Sequence, residues 1–266
     1  MKEQDLLREF NDSIQFVDNR YCVKLPWIEG KQEKLVSNRE VALKRFNSLV
    51  KRFKRDPSLY KEYREVVDDY LKEGIVELSD DLINESTFYL PHHAVIREDK
   101  TSSRLRIVFD GTAHAEEEYS LNDCLYTGMN LYPNLFELLL RFRQNAIAYT
   151  ADVKHAYLQI LIDSDDRRFT KFFWIEDLNS DKRCVLNFTR VLFGLKPSPY
   201  LHEATLKYHF ERYQNLFPET CEVLRNSFWV HDLVGGTDNL ETAQEKQHRK
   251  CRNNEEIWNG AWKMAN

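Results

Sequence analysis

The sequence predicts a soluble, globular α+β protein, and three observations lead to that class. Apolar residues recur at helical spacing in several segments, two of them consecutive in the first third of the chain. Short apolar runs are paired across polar turns, as in antiparallel hairpins. Helices and strands do not alternate regularly, as they do in a doubly wound parallel sheet. With 266 residues and 42% hydrophobic content, the chain can bury a core in one large domain or two subdomains.

The first half of the chain begins with an expected extended segment and two helices. Residues 1–35 are expected to be mainly extended, and a helix is predicted over 38–53. A second helix starts after Asp56, which suits an N-cap, with Pro57 at the first helical position. Gly74 is a typical residue for its end. The apolar face of this helix predicts core packing rather than a ligand platform.

Strands dominate the remainder, beginning with a β-ribbon over 87–109 whose polar turn covers 98–103. The later predicted elements are, in order, a helix over 133–143, a buried strand over 146–151 that leads into Asp152, strands over 168–175 and 183–189, a helix from Ser198 towards Tyr213, and a hairpin over 228–236.

Composition and charge exclude several classes of protein. No apolar run approaches the ~20 residues that span a bilayer, and the N-terminus lacks the apolar core of a secretory signal. Five scattered cysteines without a CxxC pair argue against a disulfide framework or a zinc site, so we expect a cytoplasmic protein. The net charge of −5 gives no support for nucleic-acid binding. A basic run over 44–55 is, taken alone, typical of a solvated helix face.

Three short segments are candidates for chemistry. Asp152 closes a buried strand, where a carboxylate can hold a hard divalent cation or simply cap the following turn. The turn over 192–199 contains Gly194, which permits close approach of a ligand but also suits an ordinary strand-to-helix turn. His231 and Asp232 form a polar pair at the tip of a hairpin. Each segment alone favours the structural explanation, but together they follow the order and rough spacing of polymerase palm motifs.

Several segments resemble those of reverse transcriptases from BEL/Pao-type LTR retrotransposons. The resemblance covers about residues 20 to 245, and the matching segments are LPHH (90–93), LRIVFD (105–110), LNDCLYTG (121–128), DVKHAY (152–157), VLFGL (191–195) and LVGG (233–236). The resemblance implies a right-hand polymerase fold, with fingers over 36–145 and palm over 146–238. The tail over 239–266 matches no thumb, so we expect a fragment of a longer polyprotein or a decayed copy.

The resemblance also implies roles for individual residues. Asp152 and Asp232 would bind the two catalytic Mg²⁺ or Mn²⁺ ions, and Tyr157 would lie under the sugar and exclude a 2′-hydroxyl. The residues implied to contact the incoming deoxynucleoside triphosphate are Arg106, Lys154, His155, Ala156, Phe193 and Gly194. The implied partners are an RNA or DNA template–primer and the other Pol domains, namely protease, RNase H and integrase; no membrane is expected.

One position departs from the family pattern. The family hairpin reads aromatic-x-Asp-Asp, whereas this chain has Trp229, Val230, His231 and Asp232. A neutral imidazole carries no negative charge and suits Mg²⁺ poorly, so an impaired two-metal site is predicted. The alternatives are a non-catalytic nucleic-acid-binding remnant and an unrelated metal-dependent enzyme that uses His231 and Asp232.

Overall fold

The structure, a computed structural model, describes residues 3–79, 86–97, 104–152, 156–180 and 182–238. The α-helices of this described part are α1 (Glu3–Ser13), α2 (Arg39–Arg55), α3 (Pro57–Lys72), α4 (Leu121–Cys124), α5 (Leu135–Arg143), α6 (Ser198–Tyr213) and α7 (Pro218–Ser227). Its strands are β1 (Gln15–Val17), β2 (Arg20–Val23), β3 (Val76–Ser79), β4 (His92–Ile96), β5 (Leu105–Phe109), β6 (Ile147–Asp152), β7 (Leu161–Ile162), β8 (Lys171–Ile175), β9 (Arg183–Phe188), β10 (Phe228–Trp229) and β11 (Asp232–Thr237). Short 3₁₀ helices cover Gln32–Lys34, Ala156–Gln159 and Arg167–Phe169.

The chain divides into two compact units, and each is discontinuous in sequence. The β6 unit contains the described residues within 1–23, 128–161 and 199–266, and the β8 unit contains those within 24–127 and 162–198. Each domain predicted from the sequence is continuous, so its boundaries differ from those of the two observed units. The predicted domains cover 1–35, 36–145, 146–238 and 239–266.

The β8 unit begins with the helical pair α2 and α3. The Asp56 carboxylate accepts a hydrogen bond from the Leu59 amide at 3.0 Å, and Pro57 occupies the first turn. Gly74 follows the helix with φ +63°, a left-handed conformation that favours glycine. The predicted start and end of this helix are therefore confirmed.

Two antiparallel β structures complete the β8 unit. One is a three-stranded sheet in the order β3–β9–β8, and the other is the β4–β5 ribbon. Aromatic side chains join them to the helices, since Tyr63 of α3 stacks on Trp174 of β8 at 5.7 Å between ring centroids. The ribbon prediction is confirmed, and its turn at 98–103 lies outside the described residues.

A buried histidine fixes the ribbon within this core. Nε2 of His92 lies 2.9 Å from the Phe173 carbonyl oxygen, and Nδ1 is hydrogen-bonded to the Tyr63 hydroxyl. Burial lowers the pKa of His92 to about 4, so the ring is neutral at physiological pH. The neutral ring donates from Nε2 and accepts at Nδ1. The presence of His92 in the LPHH segment is therefore explained by its structural role in the core.

The β6 unit is built on a second antiparallel sheet, in the order β10–β11–β6. The hairpin of β1 and β2 turns through Asp18 and Asn19, which both have positive φ, as a type I′ turn requires. The hydroxyl of Tyr21 in β2 lies 2.8 Å from Nδ1 of His209 in α6. That contact joins the hairpin to the helix.

One sequence expectation needs correction, and several elements were not predicted. Residues 1–35 are not an extended segment, because they contain α1 and the β1–β2 hairpin. Elements that the sequence reading missed are α1, the β1–β2 hairpin, β3, α4, β7 and α7. Among the described residues, no helix is both long enough and apolar enough to cross a bilayer.

Candidate functional site

The strand register of the β6 unit brings the two predicted metal ligands opposite each other. β6 and β11 pair antiparallel over six residues, and Asp232 is the cross-strand partner of Asp152. Directly opposed residues in an antiparallel pair have Cβ atoms about 4.5–5.5 Å apart. The backbone pairing is thus what a shared metal site requires. The Asp152 side chain lies outside the described part, so proximity of the carboxylates stays a prediction.

A two-residue turn carries His231 at the end of this sheet. Trp229 pairs with Asp232, which leaves Val230 and His231 as the turn. Val230 has φ +57°. A β-branched side chain in this left-handed region is an outlier and costs roughly 1–2 kcal/mol. The hairpin therefore stores strain next to the predicted metal ligand, as functional sites often do.

Replacing Val230 with asparagine should raise the free energy of unfolding by about 1 kcal/mol, because asparagine tolerates positive φ far better than valine. Urea denaturation of the variant and the parent measures this difference. The matched control is Val223→Asn on the exposed side of α7, where the same change meets helical backbone and should shift stability by less than about 0.5 kcal/mol. A destabilised Val230→Asn variant would show that packing of the valine outweighs its strain.

His231 lies beside a second histidine. Its side chain is half-buried, and its Nδ1 is buried without a hydrogen-bond partner among the described atoms. His202 of α6 is fully buried. Burial, and secondly the charge of His231, lower the pKa of His202 to about 3, so His202 stays neutral. The His231 imidazole therefore has a neutral, fully buried histidine as its neighbour.

The residue after His202 is a buried acid. Glu203 is 8% exposed, and its Oε2 has no hydrogen-bond partner among the described atoms. Burial raises the pKa of Glu203 to about 7, with Lys207 acting weakly in the opposite direction. The charge of Glu203 also contributes to the raised pKa of Tyr132, for which burial is the main cause. Half of the Glu203 side chains are consequently protonated near neutral pH.

Sequence reasoning missed this acid, although α6 carried a signal for it. Buried side chains lie on every face of the helix, so the helix has no solvent stripe over its first two turns; they are Tyr200, Leu201, His202, Glu203, Ala204, Thr205 and Leu206. A helix that is buried all round cannot leave its polar residues in water. His202 and Glu203 could therefore have been recognised as buried ionisable groups.

Tyrosines surround the same two residues. The Tyr157 ring is 6% exposed and meets the His202 ring edge-to-face at 5.3 Å between centroids. Tyr157 and Tyr132 are hydrogen-bonded to each other. The Tyr132 hydroxyl lies 3.3 Å from the Pro199 carbonyl oxygen, and its ring packs 5.6 Å from Trp229. A polar cluster, the His202–Glu203–Tyr132–Tyr157 cluster, therefore lies in the unit that carries the hairpin.

In the β8 unit, the predicted glycine turn has a structural role of its own. The Gly194 carbonyl accepts a hydrogen bond from Asn122 Nδ2 at 3.0 Å, and the Lys196 amide donates to Asn122 Oδ1 at 2.8 Å. Gly194 has φ +105°, and a Cβ there would collide with the Phe109 carbonyl oxygen. Glycine is therefore required for the turn even without a ligand. Phe193, the preceding residue, is 55% exposed.

Arg106 is exposed on β5, where it pairs with Val95. Burial raises the pKa of the neighbouring Tyr70, and the Arg106 guanidinium offsets part of that rise. Among the described residues, its side chain forms no hydrogen bond and no ion pair with a carboxylate. It is therefore free to meet an anionic ligand on the solvent side of the ribbon.

The structure distributes the predicted site residues between the two units. Those of the β6 unit are Asp152, Ala156, Tyr157, His231 and Asp232, and those of the β8 unit are Arg106, Phe193 and Gly194. Lys154 and His155 lie outside the described residues. Within the β6 unit, the register joins the two aspartates, and His202 neighbours both Tyr157 and His231.

The described candidate donors for a divalent cation at the hairpin are Asp232 and His231. In the described part, no three histidine, cysteine or acidic side chains are grouped to hold a metal, and the Asp152 carboxylate lies outside that part. Asp232 provides one carboxylate, and His231 provides a ring nitrogen, Nδ1, that has no hydrogen-bond partner among the described atoms. Mg²⁺ prefers oxygen ligands, so Asp232 is the better donor of the two.

The chain matches no protein-family model, and no curated protein matches it either. The polymerase interpretation therefore depends on the segments quoted above and on the geometry of the hairpin.

Proposed function

We propose that this chain is the fingers-and-palm part of an RNA-directed DNA polymerase that resembles BEL/Pao reverse transcriptases, and that His231 impairs its catalysis. The observation that carries the proposal is the register that pairs Asp232 with Asp152 beside a strained two-residue turn. An ordinary hairpin tip needs neither an acid opposite an acid nor strain at a β-branched residue. Like charges directly opposite each other destabilise a sheet unless a cation lies between them.

The proposed reaction is phosphoryl transfer to a primer end. A divalent cation held by Asp152 and Asp232 would stabilise charge on the phosphoryl oxygens. The exposed guanidinium of Arg106 suits a triphosphate, because it can form two parallel hydrogen bonds to phosphate oxygens. Tyr157 would act as the sugar gate, and its hydrogen bond to Tyr132 would fix the position of the ring. The protein's part is positioning and charge stabilisation.

A second candidate function is nucleic-acid binding without catalysis. The environment of His231 favours it, because an imidazole, which cannot carry negative charge, stands where the resemblance implies a further carboxylate, and the neighbouring His202 is neutral. Binding depends on phosphate contacts, which need no metal carboxylates. The template–primer and the cytoplasmic location are the same in both functions.

Two assays on one protein preparation test these functions. Filter binding of an RNA–DNA template–primer should show retention that weakens as salt rises. Primer extension by the unmodified chain should be undetectable with either Mg²⁺ or Mn²⁺. Absence of template–primer binding at low salt would contradict both functions, whereas robust extension would contradict the impairment.

A further inference from the structure

Helix α2 of the β8 unit has a sharply divided surface. Its buried side is formed by Ala42, Phe46, Leu49 and Phe53. At 100° per residue, Lys44, Lys51 and Arg55 fall within about 40° of one another on the opposite side. All three are exposed, and none forms an ion pair within the described part of the chain. These three residues are called the α2 stripe.

The charge of α2 contrasts with that of its neighbour. α2 contains seven lysines and arginines and a single acid, Glu40, whereas α3 contains three cations and four acids. The whole chain has a net charge of −5, so α2 concentrates positive charge against the average. A randomly solvated helix face would carry both signs, as α3 does.

The helix dipole explains only part of this charge. Cations stabilise the last turn of a helix, and Arg52, Lys54 and Arg55 lie there. The effect fades within one turn, so it does not account for Lys44 or Lys51. The charge of Arg45 also has an explanation within the protein, because Arg45 forms an ion pair with Asp110 at 2.5 Å. Within the described ranges of the chain, the charges of Lys44 and Lys51 have no ion-pair partner.

We propose that the α2 stripe binds the sugar–phosphate backbone of a nucleic acid. The inference rests on the proposed function for the class of ligand. It adds a surface that none of the segments quoted for the resemblance contains, although α2 lies within the predicted fingers. Along the helix axis, Lys44 and Lys51 are about 10 Å apart, and Lys51 and Arg55 about 6 Å. These intervals allow the flexible side chains to reach successive phosphates of one strand. Three such contacts read no sequence, because phosphates carry none.

The test compares two triple variants with equal loss of charge. Lys44→Gln/Lys51→Gln/Arg55→Gln removes the α2 stripe, and Lys61→Gln/Arg64→Gln/Lys72→Gln removes three exposed cations from α3. Affinity for a fluorescein-labelled RNA–DNA hybrid is measured by anisotropy between about 50 and 200 mM salt. Circular dichroism and urea denaturation of both variants establish that they are folded.

The α2 variant should bind at least about tenfold more weakly at low salt, with a log–log salt slope shallower by about 2 to 3. The α3 variant should bind as the parent does. Equal affinities for parent and α2 variant would overturn the α2 inference and leave the proposed function standing. Failure of the parent to bind would overturn both. Loss of binding to anionic lipid vesicles, with hybrid binding unchanged, would assign the stripe to a membrane surface instead.

Discussion

When a related thumb domain is fused downstream, His231→Asp should raise primer extension by at least ~10²-fold over the same fusion with His231, a typical effect of one preorganised charged or polar group at a reacting centre. Without that fusion, neither form should extend a primer measurably. The imidazole provides no negative charge beside Asp232, and its Nδ1 has no described partner that could make it more basic. A carboxylate at this position adds a hard oxygen ligand where the register already pairs two aspartates. The gain should come from metal binding, because the backbone of the turn does not depend on this side chain.

Metal affinity and extension together test this explanation. Mn²⁺ binding followed by electron paramagnetic resonance should tighten in His231→Asp and stay unchanged in His231→Asn, which, like the parent residue, provides no negative charge. The comparison separates charge from side-chain size. Tighter Mn²⁺ binding in both variants, or in neither, would mean that His231 does not occupy a metal-ligand position.

Glu203→Gln should stabilise the protein by up to about 3 kcal/mol at pH 8 and by almost nothing at pH 4. The raised pKa of about 7 means that the folded state binds a proton more tightly than the unfolded state, whose glutamate has its ordinary value of 4.5. Stability from this group is therefore complete below pH 4.5 and is lost as pH rises through 7. Glutamine does not titrate and avoids the loss. A pKa difference of about 2.5 between the folded and unfolded states corresponds to about 3 kcal/mol.

Urea denaturation of parent and variant across this pH range gives the difference directly. The buried His92 and His202 also titrate, and their contribution to the free energy of unfolding is lost as pH falls below 6.5. Both residues are present in parent and variant, so this contribution cancels when the two free energies are subtracted. Glu222→Gln on the exposed side of α7 is the control and should change stability by less than about 0.5 kcal/mol throughout. A Glu203→Gln effect that does not vary with pH would indicate a packing change instead.

Local signals explain which elements could be predicted from the sequence. Asp56, Pro57 and Gly74 determine the limits of α3 by cap and backbone preferences that act within a few residues. α7 begins with Pro218 at its first position, yet only Cys221 and Leu224 are buried, too few to establish a helical period. β3 is a four-residue strand with one buried side chain, so it lacks a recognisable alternation.

Only those parts of the candidate site that depend on local features of the chain could be predicted from the sequence. The pairing of Asp152 with Asp232 followed from a strand end and a hairpin tip, which are local features. The approach of His202 to Tyr157 and His231 depends on how α6 packs, and no local pattern specifies that packing. Likewise, Asn122 holds the Gly194 turn across 72 residues of sequence. Hydrogen bonds of this range are visible only in the folded chain.

The discontinuous units also determine when the hairpin sheet can form during synthesis. β6 pairs with β11 about 80 residues later, and β3 pairs with β9 more than 100 residues later. Ribosomes add about 5–20 residues per second, so β6 waits several seconds for its partner. During that interval its edge is open to pairing with other chains. A nascent chain that stalls before residue 232 would therefore present an aggregation-prone strand and would require chaperone protection.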